Sequence, residues 1–210
     1  MSGDSREKVL KDFSVSEKTA ERLDILVAEL AKWQRIKNLV GPATLDQVWS
    51  RHVADSLQLA ELAPQGTKTW LDLGSGAGFP GLVLAILGAE VDFHVTMVES
   101  NARKCAFLRH VTRLTGASAT IYAERLEVII PKMVGKTDVL TARALASLEQ
   151  LLQWTKPLFD NRTSALFPKG RDVQTELMAA AKRWDISYEI IPSRIDAESS
   201  IVRISSIKPL

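Results

Sequence analysis

Apolar residues recur at helical spacing early in the chain. Leu23, Leu26, Val27, Leu30 and Trp33 share one side of a helix, and Ser14 with Glu17 has capping-box spacing ahead of them. A second box, Thr44 and Gln47, precedes a stripe of Val48, Trp49, Val53, Leu57 and Ala60. Pro64-Gln65-Gly66 then interrupts the pattern, so residues 1–64 are expected to form a helical extension packed on a main domain at 65–210. From Thr69 onward, short apolar runs alternate with helical periods. Strands are expected at 70–73, 91–98, 119–122, 138–141 and 165–167, with Val91, Phe93, Val95 and Met97 on one face of the second. Helices fit between them at 82–87, at about 147–154 and at about 172–184. Another, capped by Ser100 and closed by Gly116, places Ala106, Phe107, His110, Val111 and Leu114 together. Residues 186–191 and 201–205 are strand-like with no helix between them, which predicts an antiparallel pair. The alternation implies a doubly wound α/β sheet, mostly parallel, with helices on both faces.

Composition narrows the class. With 46% hydrophobic and 25% charged residues, the chain reads as an ordinary globular protein. A single cysteine, Cys105, excludes an internal disulfide framework and a Cys-clustered zinc site. The longest apolar stretch, 77–89, is short and carries Pro80, Gly81 and Gly88, against the ~18 residues a membrane span needs. No signal-peptide pattern opens the chain, so a cytoplasmic protein without membrane or metal partners is expected, with a monomer as the default. Lys+Arg 27 against Asp+Glu 25 gives +2, which by itself selects no partner.

The stretch with the most chemical content is Asp72-Leu73-Gly74-Ser75-Gly76-Ala77-Gly78-Phe79-Pro80-Gly81. It lies at the first strand–helix turn, where doubly wound sheets bind ligands, and glycine lets backbone approach a ligand closely. The dinucleotide fingerprint requires a sixth-position glycine where this chain has Phe79, and the Gly-Lys-Ser/Thr ending of a phosphate loop is absent. Glu99, ending the next strand, can accept both hydroxyls of a ribose. A nucleoside carrying an amino acid and no phosphate fits better than NAD. That ligand is S-adenosylmethionine, and the pattern resembles the class I methyltransferases, a Rossmann-like fold whose last strand is antiparallel. Gly74, Gly76 and Gly78 should lie under the ligand, and the residues from Glu124 to Glu127 should flank the adenine. Asp72 is either an anchor for the loop or, through solvent, a partner for the ligand's ammonium. An NAD-dependent oxidoreductase, a class I methyltransferase acting on another RNA, a protein or a small molecule, and a non-catalytic RNA-binding module remain the alternatives.

Further strings resemble one family more closely: 33–40 (WQRIKNLV), 51–57 (RHVADSL), the loop 74–81 with Pro80, 143–148 (RALASL) and 167–170 (FPKG). In this order they resemble the small-subunit ribosomal RNA guanine-N7 methyltransferases, also called the glucose-inhibited division protein B family. The resemblance implies cofactor contacts at Gly74, Phe79, Leu126, Glu127 and Arg143. It also implies a target guanine in the 530 loop of 16S ribosomal RNA, with S-adenosylhomocysteine as the second product. Many members carry a basic residue after a glutamate near the C-terminus, where this chain has Glu198-Ser199-Ser200. Guanine N7 has a free lone pair and needs no general base, so no catalytic base is expected. Arg143 is the candidate catalytic group, shaping the pocket or holding the guanine; alternatively it forms a salt bridge to Glu99, Glu124 or Glu127. Asn38, His52 (beside Asp55), Arg125 and Lys169 are the candidate substrate contacts. For His52 and Asn38 the alternatives are a structural histidine and a helix C-cap. Arg35/Lys37, Arg103/Lys104/Arg109/Arg113 and Lys169/Arg171 are candidate phosphate contacts or solvated faces.

Overall fold

The computed structural model describes residues 3–35, 39, 47–159 and 162–210. Helices α1 (Gly3–Asp12) and α2 (Glu17–Gln34) come first, and a π-type turn over Val48–Val53 then leads into α3 (Ala54–Leu62). The alternating section follows as β1 (Thr69–Leu73), α4 (Gly81–Val91), β2 (His94–Val98), α5 (Ala102–Thr115), β3 (Ala119–Tyr122), α6 (Leu126–Met133) and β4 (Val139–Ala142). It continues with α7 (Leu148–Thr155), β5 (Ser164–Lys169), α8 (Val173–Ala180), β6 (Trp184–Pro192) and β7 (Ser200–Pro209).

One seven-stranded sheet runs β3-β2-β1-β4-β5-β7-β6. The pairs from β3 to β5 are parallel, and β7 is antiparallel to both β5 and β6. The chain turns back between β1 and β4, so the switch point lies where the ends of those strands diverge. Side chains alternate between two cores. Trp70, Val95, Met97 and Val139 join the core shared with α2 to α5, while Leu71, Leu73, Val98 and Leu140 join the one under α6 to α8. The N-terminal helices are built into the first core through Leu23, Leu26 and Leu30. Among the described residues no helix is long and apolar enough to cross a membrane.

Several expected boundaries move, each for a local reason. Helix α2 is capped by Ser16, whose hydroxyl accepts from Thr19 N at 3.1 Å, and not by Ser14, which sits at φ 49°. Thr44 of the second expected box lies outside the described residues. Val91 belongs to α4 and is exposed, so the second strand starts only at His94 after the left-handed Asp92. Asn101, not Ser100, caps α5 by accepting from the N–H groups of Arg103 and Lys104. The buried side of α5 is Cys105, Phe107, Leu108 and Val111, leaving Ala106 and Leu114 exposed. Helix α8 stops at Ala180, because Trp184 already pairs with Pro209 in the terminal hairpin.

Candidate active site

Parallel strands bring their carboxyl ends to one edge of the sheet. β1 delivers the glycine loop there, β2 delivers Glu99, β4 delivers Arg143 and β5 delivers Lys169. Gly74, Gly76 and Gly78 have φ of 64°, 57° and 91°, a region that side-chain-bearing residues rarely enter. A Cβ on Gly74 would sit 2.5 Å from Leu145 Cδ1, so the loop after β4 rests directly on the glycine loop. Glu99 ties the two nearest turns together: its carboxylate accepts from Gly76 N at 2.9 Å and from Asn101 N at 2.8 Å. Each of its oxygens retains acceptor capacity for a further donor.

Asp72 is fully buried, and Thr141 donates to its Oδ1 at 2.8 Å. Its Oδ2 has no partner among the described residues, and desolvation pushes the carboxyl up to about 6. Asp72 lines neither of the two clefts that open on this edge of the sheet, and its side chain is tied to β4 through Thr141. Gly81 is required beside it: a Cβ there would lie 2.5 Å from Asp72 Oδ2 and 2.7 Å from Met97 Sδ.

Two clefts open on this edge and share the wall Ala144-Leu145. The smaller, about 340 Å³, is lined by Gly74, Glu99, Lys104, the stretch from Glu124 to Glu127, and Trp154. It thus gathers Gly74, Glu99, Arg125, Leu126 and Glu127 from separate loops. Arg125 and Glu127 pair loosely at 3.6 Å on the surface, while Leu126 opens α6 and is half-buried. Sequence periodicity missed α6 because Pro131 lies inside it. Gly74 in its lining, an acceptor carboxylate at the β2 end and the apolar side chains of Leu126 and Leu145 fit a nucleoside bearing an amino acid. No phosphate-loop lysine is needed for such a ligand.

The larger cleft, about 830 Å³, runs between the Val48–Val53 turn, the end of β5 and the β6–β7 turn. Arg143 lies at its head. Its Nη1 donates to Asp55 Oδ2 at 3.0 Å and its Nη2 donates to His52 Nδ1. The partner is therefore Asp55, and not Glu99, Glu124 or Glu127 as the sequence had offered, because the helical extension folds over the strand ends. Burial, then the nearby charges of Arg143 and Arg51, lowers His52 to about 4, so its ring is neutral. Arginine can only donate, so Nδ1 carries the lone pair and the ring proton sits on Nε2. The imidazole stacks on Phe79, with centroids 4.9 Å apart. Desolvation raises Asp55, opposed by Arg143 and by the amide of Gln58.

The ammonium of Lys169 is already partnered. It donates to Ala146 O at 3.1 Å and to Glu176 Oε2 at 2.8 Å, and the side chain is 7% exposed. Glu176 also receives Leu148 N, so this pair holds the loop after β4 instead of presenting a free cation to substrate. Asn38 and Lys37 lie outside the described residues. Asp55 and Gln58 were not among the candidate site residues. The i,i+3 spacing of His52 and Asp55 was the available signal, but nothing in the sequence shows that Arg143 closes the set.

Comparisons with known proteins agree with this architecture. The family model described as GidB, rRNA small subunit methyltransferase G, matches residues 19–199. A protein of Methylobacterium radiotolerans named ribosomal RNA small subunit methyltransferase G is 56% identical over 99% of this chain and 97% of its own length. One of the same name from Gluconobacter oxydans is 46% identical over 93% of this chain and 97% of that protein. In fold, the chain is similar to a SAM-dependent methyltransferase of Aquifex aeolicus, with TM-score 0.60 and 16% identity over 81% of this chain and 96% of that one. The strings read at 51–57, 74–81 and 143–148 meet in space around Arg143, and the chain belongs to the rRNA small subunit methyltransferase G family.

Proposed function

We propose that the protein methylates N7 of a guanine in the 530 loop of 16S ribosomal RNA, by direct in-line transfer without a general base. The coarser part of this reading, an S-adenosylmethionine-dependent methyltransferase of small-subunit rRNA, comes with family membership. The 530 loop rests on the family resemblance, and the observation that supports transfer to N7 is the state of the groups around Arg143. The histidine there has its one lone pair engaged by Arg143, and the carboxylate of Asp55 is held between Arg143 and Gln58. Neither is free to take a proton from substrate. A guanidinium whose neighbours are both engaged in this way suits an acceptor with a ready lone pair, and N7 of guanine is one. Methylation of an exocyclic amine or a ribose hydroxyl would require a proton to leave.

When bound, S-adenosylmethionine supplies a methyl group on a positively charged sulfur, which a neutral nitrogen can displace. Gly74 and Gly76 would floor its site, Glu99 would accept from its ribose hydroxyls, and Leu126 would cover the face of its base. The remaining N–H groups of Arg143 are suited to the O6 edge of guanine, and an adenine would meet them with a donor instead. The chain's contribution is positioning, an effect worth up to ~7–11 kcal/mol of a barrier. The protein acts as a monomer on a small-subunit particle in this account. Mapping N7-methylguanine after incubating the protein and S-adenosylmethionine with unmethylated small-subunit particles tests it. A single modified guanine in the 530 loop is expected; modification of another atom or another RNA region overturns the reading.

A further inference from the structure

Gln58 on α3 is only 2% exposed, although a glutamine on a helix facing a cleft ordinarily points to water. Both ends of its amide are engaged. Nε2 donates to Asp55 Oδ1 at 2.7 Å, and Oε1 accepts from the backbone N–H of Arg194 at 3.2 Å. The Ser193 hydroxyl lies 3.3 Å from Nε2 and 3.5 Å from Oε1. The other oxygen of Asp55 receives Nη1 of Arg143. A continuous line of hydrogen bonds therefore runs from the β6–β7 turn, through one buried amide and one carboxylate, to the guanidinium at the head of the larger cleft.

The far end of this line is itself stiff. Within the turn, Ser193 Oγ accepts from the N–H groups of Ile195 and Asp196, and Asp196 accepts from Glu198 N and from the Ser199 hydroxyl. Ser193, Asp196, Glu198 and Ser199 also line the larger cleft, together with Arg143. A polynucleotide lying in that cleft thus bears on the turn and on Arg143 together. Burying an amide is costly unless all its hydrogen-bonding capacity is met, and among the described residues it is met by α3 and the β6–β7 turn, the two elements it joins.

We infer that Gln58 is a positioning residue: it ties the 193–199 turn through Asp55 to the guanidinium of Arg143 and so holds that group aligned at the head of the larger cleft. The inference rests on the reading that Arg143 meets the target guanine. The test uses Gln58→Leu, which keeps the volume and removes both hydrogen bonds, in the full chain. S-adenosylhomocysteine affinity within twofold of wild type establishes that the variant folds; Gln58→Asn, too short to span both partners, replaces it if it does not.

Two measurements then apply. Nitrogen-15 NMR of the Arg143 guanidinium, with no RNA present, is expected to show hindered Nη signals in the wild type that collapse in the variant. Methyl transfer to small-subunit particles is expected to fall about tenfold in kcat with KM for S-adenosylmethionine unchanged. The loss should not deepen when Gln58→Leu is combined with Asp55→Asn. Unchanged Arg143 signals, or losses that simply multiply in the double variant, overturn the inference. The NMR result stands independently of the reaction: if the signals collapse but the wild type makes no N7-methylguanine, the functional reading falls and the link remains.

Discussion

Arg143 holds a permanent charge where water is largely excluded, with 21% of its side chain exposed, and two unlike neighbours make that tolerable. Asp55 supplies the countercharge, and His52 supplies a neutral acceptor that adds no charge of its own. Arg143→Ala removes the cation and leaves Asp55 half-enclosed without its main partner. We expect stability to fall by about 1–3 kcal/mol while the fold and S-adenosylhomocysteine binding persist. Methyl transfer to rRNA should be lost, and a variant with wild-type transfer would remove Arg143 from the mechanism. His52 gives a pH-dependent counterpart. Its folded value of about 4 lies below the ordinary value of 6.5 that it regains on unfolding. The unfolded chain therefore takes up the proton first. The stabilisation is complete above about pH 6.5 and is lost as pH falls through that value towards 4. NMR should find the ring neutral, with its proton on Nε2, throughout pH 5–8; a midpoint above 6 would contradict the geometry.

At the level of elements, the loop after β1 and the loop after β4 form one fitted pair. Gly74 must have no Cβ both because of its φ of 64° and because Leu145 rests against it. Gly74→Ala should cost about 1–3 kcal/mol, from the left-handed backbone and the contact together. S-adenosylhomocysteine affinity should weaken at least tenfold by calorimetry. Adding Leu145→Ala should recover part of the affinity, since it relieves the contact but not the dihedral; no recovery would show that the dihedral alone matters. The glycine spacing was legible in the sequence because glycine has few reasons to recur in a short loop. The same holds for Glu99, whose place follows from the end of an alternating strand. The partner of Arg143 was not legible, because it comes from a helix far earlier in the chain and periodicity carries no information about how separate elements meet. The same limit explains Lys169: its strand-end position was readable, but its pairing with Glu176 on α8 was not. Boundaries failed where two signals overlapped, as at Val91, which suits the end of an apolar helix as well as the start of a strand.

Across the whole molecule, the expected division at residue 64 separates sequence patterns more than it separates cores. Leu23, Leu26 and Leu30 lie in the same core as Trp70 and Leu82, and Asp55 and Gln58 complete the surroundings of Arg143. The larger cleft carries little net charge, since Arg51, Arg143 and Lys169 face Asp55, Glu176, Asp196 and Glu198 along its walls. With its charges so nearly balanced, few phosphates can be neutralised within this cleft at once. Affinity for RNA through counterion release scales with that number, so free RNA should be held weakly and with a shallow salt dependence. On the proposed reading, specificity then comes from the way the folded particle splays and presents the 530 loop, since proteins read RNA sequence chiefly in unstacked bases. Methyl transfer to small-subunit particles should therefore exceed transfer to an isolated 530-loop hairpin by at least tenfold in kcat/KM. Raising salt from 50 to 200 mM should slow the particle reaction by much less than the ~10³–10⁵ expected of a protein gripping many phosphates. Equal rates on hairpin and particle, or a steep salt dependence, would mean that the protein carries a phosphate grip which its two clefts do not provide.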